Sequence, residues 1–136
     1  MSHPIMFDDD DPMLARVRDL ALALPEAAVK VSHGRPAFFT QKVFCYYGGM
    51  PRRESEDEGE GEPRRHDHAI IVKPDPDDEP ALRQDRRFWV PKYLGPAGWL
   101  GIDLGDDTDW AEVAELLDAS YRATAPRRLV RMLDAR

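Results

Sequence analysis

Apolar residues recur at Met13, Leu14, Val17, Leu20, Ala21 and Leu24, with Arg16, Arg18 and Asp19 off that stripe. A three-then-four spacing predicts an amphipathic helix with one buried face. Asp11 followed by Pro12 marks its start, an N-cap carboxylate and then a proline whose missing N–H is no loss in the first turn. The acidic run at 8–11 suits the positive end of the helix dipole. Pro25 ends the helix or opens the exit turn. The period then shortens. Residues 27–32 alternate as a strand, 37–40 make a second short one, and Gln41 and Lys42 turn the chain into a third at 43–47, rich in β-branched and aromatic residues. Such close strands must be antiparallel, because a parallel return needs a crossover of roughly a dozen residues.

Farther along, 68–73 reads as a central strand stopped by Pro74 and Pro76. Residues 79–88 form a short helix with Pro80 in its first turn, and 88–90 start a strand that Pro91 stops. Gly95, Pro96 and Gly98 make a turn before a last strand at 99–104. Residues 106–109 cap a long helix whose apolar positions are Trp110, Val113, Ala114, Leu116, Leu117 and Tyr121. Beyond Pro126 a final helix packs Leu129, Val130 and Leu133 and turns its arginines outward. The order predicts an α+β fold, an antiparallel meander of five to six strands with the N- and C-terminal helices on one face.

Composition changes this picture in three ways. The 136 residues suit a single domain, expected over 11–136 after a flexible acidic tail at 1–10. Within it, 50–66 carries six acidic residues between two Arg-Arg pairs and no apolar period, which predicts a flexible charged insertion. The net charge of −7 counts against non-specific nucleic-acid binding, although residues 122–136 hold five arginines against one aspartate. Cys45 lies alone in an apolar run, so it reads as a small buried hydrophobe in a fold that needs no disulfide. No apolar stretch reaches the roughly 20 residues that span a bilayer, and no signal peptide is evident. The expectation is a cytoplasmic, monomeric protein away from membranes.

The segments HGRPAFF, KVFCYY, HAIIVK and FWVPKYLGPAGWLGIDL, between an amphipathic helix and a long C-terminal helix, resemble the MmcQ/YjbR family over roughly 12–130. The most specific part is 88–104, with Tyr93, Leu94, Gly95, Gly98 and Trp99. The resemblance implies a CyaY-like (frataxin-like) α/β sandwich and a DNA-binding role. It carries over no catalytic residue.

Arg83, Arg86, Arg87 and Lys92 lie beside Trp89 and Tyr93, and Arg127, Arg128 and Arg131 share one side of the last helix. Arginine forks bind phosphate and aromatics stack on bases, so these are the candidate nucleic-acid contacts. The same residues also suit solvated helix faces. Trp89, Tyr93 and Trp99 are the candidate lining of an aromatic groove, or core anchors. His66 and His68, two apart on a strand, could begin a metal site, but no third ligand stands at a telling spacing, so neither metal nor cofactor is expected. His33 precedes Gly34 and reads as a turn residue. The acids at 8–11 are consecutive and do not repeat along a helix face as an iron site would need. No G-x-S-x-G, phosphate-loop, C-x-x-C or H-E-x-x-H motif is present. The leading expectation is a non-enzymatic binding protein for DNA. A protein-interaction or small anionic-ligand module is the alternative, and an uncharacterised enzyme comes third.

Overall fold

Asp11 does at the first helix what its position before Pro12 predicts: its Oδ1 accepts from Met13 N at 2.9 Å and starts α1 (Pro12–Leu22). The computed structural model describes residues 4–52 and 65–136. The acidic run of the expected 50–66 insertion lies at 53–64, outside the described residues. After α1 come β1 (Ala28–Ser32), β2 (Arg35–Phe39), β3 (Val43–Gly49), β4 (His66–Val72), α2 (Glu79–Gln84), β5 (Phe88–Trp89), a 3-10 turn at Gly95–Ala97, β6 (Leu100–Asp103), α3 (Trp110–Thr124) and α4 (Arg127–Asp134).

Among the described residues the strands form a six-stranded antiparallel sheet in the order β1-β2-β3-β4-β6-β5. The α+β class and strand number are those expected, but the meander stops at β4. The two-residue β5, bounded by Pro91, takes the edge, where a proline removes no ladder bond. The longer β6 lies between it and β4.

The register sorts the side chains onto two faces, since alternate strand residues point opposite ways. The cross-strand rows Phe38–Cys45–Val72–Leu100 and Tyr47–Ile70–Ile102–Phe88 are buried and form one core with α1 and α3. From α1 come Leu14, Val17 and Ala21, and from α3 Val113, Leu117 and Tyr121. Tyr121 meets Phe44 edge-on at 5.4 Å and donates to Pro25 O at 2.7 Å. Ser120, also on α3, donates to Phe44 O and accepts from Lys73 N, so one buried hydroxyl ties the helix to β3 and to the end of β4. Ser120→Ala is expected to cost about 1–3 kcal/mol in urea denaturation, because both backbone groups lose their partner inside the core. A cost below about 0.5 kcal/mol would show that they find other partners.

The opposite row is Lys30–Ala37–Tyr46–Ile71–Gly101–Trp89. Here the chain closes on itself. Gly48 at φ +80 and a register shift between Tyr47 and Gly49 bend β3 off the sheet. Residues 50–52 then run antiparallel to 90–92, with Arg52 N to Val90 O at 2.8 Å and Lys92 N to Met50 O at 2.9 Å. Strands β3, β4, β6 and β5 thereby curl into a partial barrel. At the N-terminus Met6 N donates to Gly34 O at 2.9 Å and Phe7 packs on the core, so the segment expected to be a loose tail is attached there. No helix among the described residues is long and apolar enough to cross a membrane.

Candidate functional site

The open row supplies a floor and the 90–94 segment a wall. Trp89 lies over Gly101, where an added Cβ would fall 2.5 Å from the indole. The His66 ring stacks on Trp89 at 4.4 Å, and its Nδ1 lies 2.6 Å from Asp103 Oδ1. Trp99 is 8 % exposed and meets Tyr46 at 5.6 Å. Beside these rings a groove of about 500 Å³ opens over Tyr46 and Ile71, between Arg35 on one side and Lys92, Tyr93 and Leu94 on the other.

Arg35 is the unusual member. It opens β2, is 7 % exposed, and donates from Nη2 to Asp67 Oδ1 at 2.9 Å. Its Nη1 reaches Met6 O only at 3.5 Å and lies where a Cβ on Gly48 would stand, 2.2 Å away. Glycine at 48 is therefore required twice, by its φ of +80 and by the guanidinium seated against it. Asp67 is shared with Arg65 at 3.2 Å. Partial burial would raise the Asp67 pKa, but the two guanidinium groups outweigh it and hold the carboxyl below its usual range. The trio of Arg35, Arg65 and Asp67 thus keeps one net positive charge. Burial pushes the Tyr46 phenol up, so it stays a neutral donor on the floor.

Tyr93 stands at the rim with 85 % of its surface exposed and φ +70, a left-handed conformation that side chains rarely adopt. Lys92 Nζ lies 5.1 Å from its ring centre. Of the three aromatics expected to line a groove, Tyr93 does so, and Trp89 and Trp99 stand outside the lining as packing groups. Arg35 and Tyr46 were not singled out from the sequence. The available signal was a lone arginine in the otherwise apolar RPAFF strand, since a charge among buried positions needs a partner or a role.

The arginines proposed for phosphate contacts do not converge. Arg83 bonds Glu79 and the Gly95 carbonyl. Arg87 lies beyond the end of α2, so it does not share a helical face with Arg83, and it is held by Asp85 and by Glu112 at 2.8 Å. Those carboxylates push its pKa still higher and fix its charge in place. Arg128 bonds Glu26 at 2.6 Å. Arg86, Arg127 and Arg131 make no ion pair among the described residues. Arg83, Arg86 and Arg87 precede β5 at one edge of the sheet, whereas Arg128 reaches Glu26, two residues before β1 at the other.

His66 and His68 also go separate ways: His68 Nδ1 lies 2.8 Å from Asp11 Oδ2 at the start of α1, far in role from the His66–Asp103 pair. The shift in register beside Gly49 breaks the simple alternation that would have aimed both rings together. No group of three or more metal-ligating side chains occurs among the described residues. Cys45 is fully buried, and burial pushes its thiol pKa far up, which removes it as a nucleophile.

No curated protein matches the chain significantly. The family model described as YjbR matches residues 22–123, from the end of α1 through most of α3. That span contains the entire sheet and every groove residue except Met6. The chain belongs to the YjbR family.

Proposed function

We propose that this YjbR protein is a non-enzymatic binding protein that takes a small ligand into the groove over Tyr46 and Ile71. The observation that carries the reading is Arg35, a nearly buried guanidinium on the wall of an otherwise mainly apolar cavity. Small-ligand sites have this make-up: a concave apolar surface of roughly 300–1,000 Å³ with a few fixed polar groups. His66 is engaged by Asp103, His68 by Asp11, and Cys45 is buried in the core, while His33 lines the groove.

Duplex DNA is the second reading. Arg86, Arg127 and Arg131, with no ion pair among the described residues, and Lys92 favour it. Against it stand the carboxylates that hold Arg83, Arg87 and Arg128 and the overall charge of −7. A thermal-shift panel of small organic acids, nucleotides and a short duplex at low salt separates the two. The groove reading expects stabilisation by at least one small molecule, since a ligand at about 100 times its Kd contributes about 2.7 kcal/mol. Salt-dependent duplex binding that Arg127→Ala and Arg131→Ala weaken, without any small-molecule effect, would replace it with the DNA reading.

A further inference from the structure

We infer that the groove selects a flat aromatic ring bearing one compact anionic group, a carboxylate or a phosphate. Arg35 and Lys92 would hold the anion, and Tyr46 and Tyr93 the ring. The inference rests on the groove reading above and adds the chemical class of the ligand.

Charge is the first support. Acidic residues outnumber basic ones by seven over the chain, yet among the described residues none lines the groove, while Arg35 and Lys92 do. Among the described residues the lining is therefore positive in an acidic protein, and Asp67, shared between Arg35 and Arg65, does not fully cancel Arg35. Arginine presents five N–H donors in a rigid fork. Among the described residues, Asp67 and a distant Met6 carbonyl are the acceptors that reach Arg35. A guanidinium at 7 % exposure with donors left over is what a carboxylate or phosphate completes, by two parallel charge-assisted bonds.

The ring follows from the rim. Tyr93 carries a bulky side chain at φ +70, as do Glu26 and His33 at φ +56 and +52, and such strained residues cluster at active sites, ligand clamps and switch regions; of these, Tyr93 and His33 line the groove. Its exposed face is held beside Lys92 Nζ, so cation and aromatic surface are offered as one unit next to Leu94. Tyr46 and Ile71 give a flat apolar floor opposite. About 500 Å³ admits one or two fused rings with an acid group, up to the size of a nucleoside monophosphate, and excludes a duplex.

Calorimetric titration of the full chain tests this with two matched pairs, indole-3-acetate against indole-3-acetamide and adenosine 5′-monophosphate against adenosine. The anionic member of at least one pair should bind about tenfold or more tightly than its neutral partner. Preference for one pair identifies carboxylate or phosphate as the anion. Arg35→Lys should weaken that binding about tenfold by losing the fork. Lys92→Gln, at an exposed site where folding is not at stake, should weaken it about threefold. Tyr93→Gly should weaken binding while raising the melting temperature, because glycine relieves the left-handed strain; a residue with only a structural role would not move the two in opposite directions. Equal affinity for charged and neutral partners overturns the anion assignment and leaves the groove standing. Failure of all four probes at 1 mM overturns the inference, and if the wider panel is also silent the groove reading falls with it. An anionic probe whose affinity Arg35→Lys and Lys92→Gln both leave unchanged would place it elsewhere on the protein.

Discussion

Asp11→Ala is expected to destabilise the protein by about 3 kcal/mol in chemical denaturation. Two losses combine. An N-cap is worth about 1 kcal/mol, and a buried hydroxyl left without its acceptor costs about 1–3 kcal/mol. Asp11 supplies both, because Oδ1 caps α1 while Oδ2 accepts from Tyr47 OH at 2.5 Å and from His68 Nδ1. Tyr47 is fully buried in the core row, so its hydroxyl has no route to bulk water. Adding Tyr47→Phe should recover part of the cost, giving a double mutant less destabilised than the sum of the singles. An Asp11→Ala cost within about 0.5 kcal/mol, typical of an exposed substitution, would show that the contact carries no energy.

The same carboxylate sets a pH dependence. Burial alone would raise its pKa, but hydrogen bonds from Tyr47, His68 and the Met13 N–H outweigh it and hold the folded value below the usual 3.8. A depressed carboxylate contributes stability that is complete above the unfolded pKa of about 3.9 and is lost as pH falls through the folded value. The stability gap between the wild type and Asp11→Asn should therefore shrink as pH falls below about 4. A gap that widens on acidification would contradict the assigned direction.

Gly101→Ala is the second large effect, about 2–3 kcal/mol of destabilisation with a change in tryptophan emission. The new methyl would sit 2.5–2.7 Å from three atoms of the Trp89 indole, and that ring cannot withdraw freely because His66 stacks on it. Overpacking of a closed site typically costs about 1–3 kcal/mol. Pairing Gly101→Ala with Trp89→Leu should restore much of the loss, since leucine leaves room for the methyl. If the single substitution is silent in both denaturation and fluorescence, Trp89 does not fill the curl of the sheet.

These sites show where the sequence was readable. Asp11–Pro12 and Asp109–Trp110 start their helices where capping chemistry puts them, and the apolar stripes of α1 and α3 are the faces that enter the core. Local signals sufficed because each arises within a few residues. Strand order past β4 was not local. Nothing between Pro91 and Gly98 says that β6 will insert beside β4, which depends on tertiary competition for the long ladder. Charge pairing was less legible still. Arg87 finds Glu112 at 25 residues' distance and Arg128 finds Glu26 at 102, so three of the seven side chains that read as phosphate contacts, Arg83, Arg87 and Arg128, are held by the protein's own carboxylates. The groove escaped for the same reason. Arg35 meets Gly48 and Asp67 only once three strands have paired, and the bend at Gly48 that brings 50–52 against 90–92 is a single backbone angle. Tyr93 was visible as an aromatic beside Lys92, but its left-handed backbone was not.

The central claim is that the open-face groove, not the arginine clusters at the sheet edges, is where this protein binds. Backbone amide shifts in a 15N-labelled sample, recorded with the tightest-binding small anion and separately with a short duplex, test it most directly. The account predicts that the anion moves the amides of Gly48, Ile71, Lys92 and Leu94 and that the duplex leaves them in place. Unmoved groove amides, with duplex-induced shifts at Arg86, Arg87, Arg127 and Arg131, would contradict it.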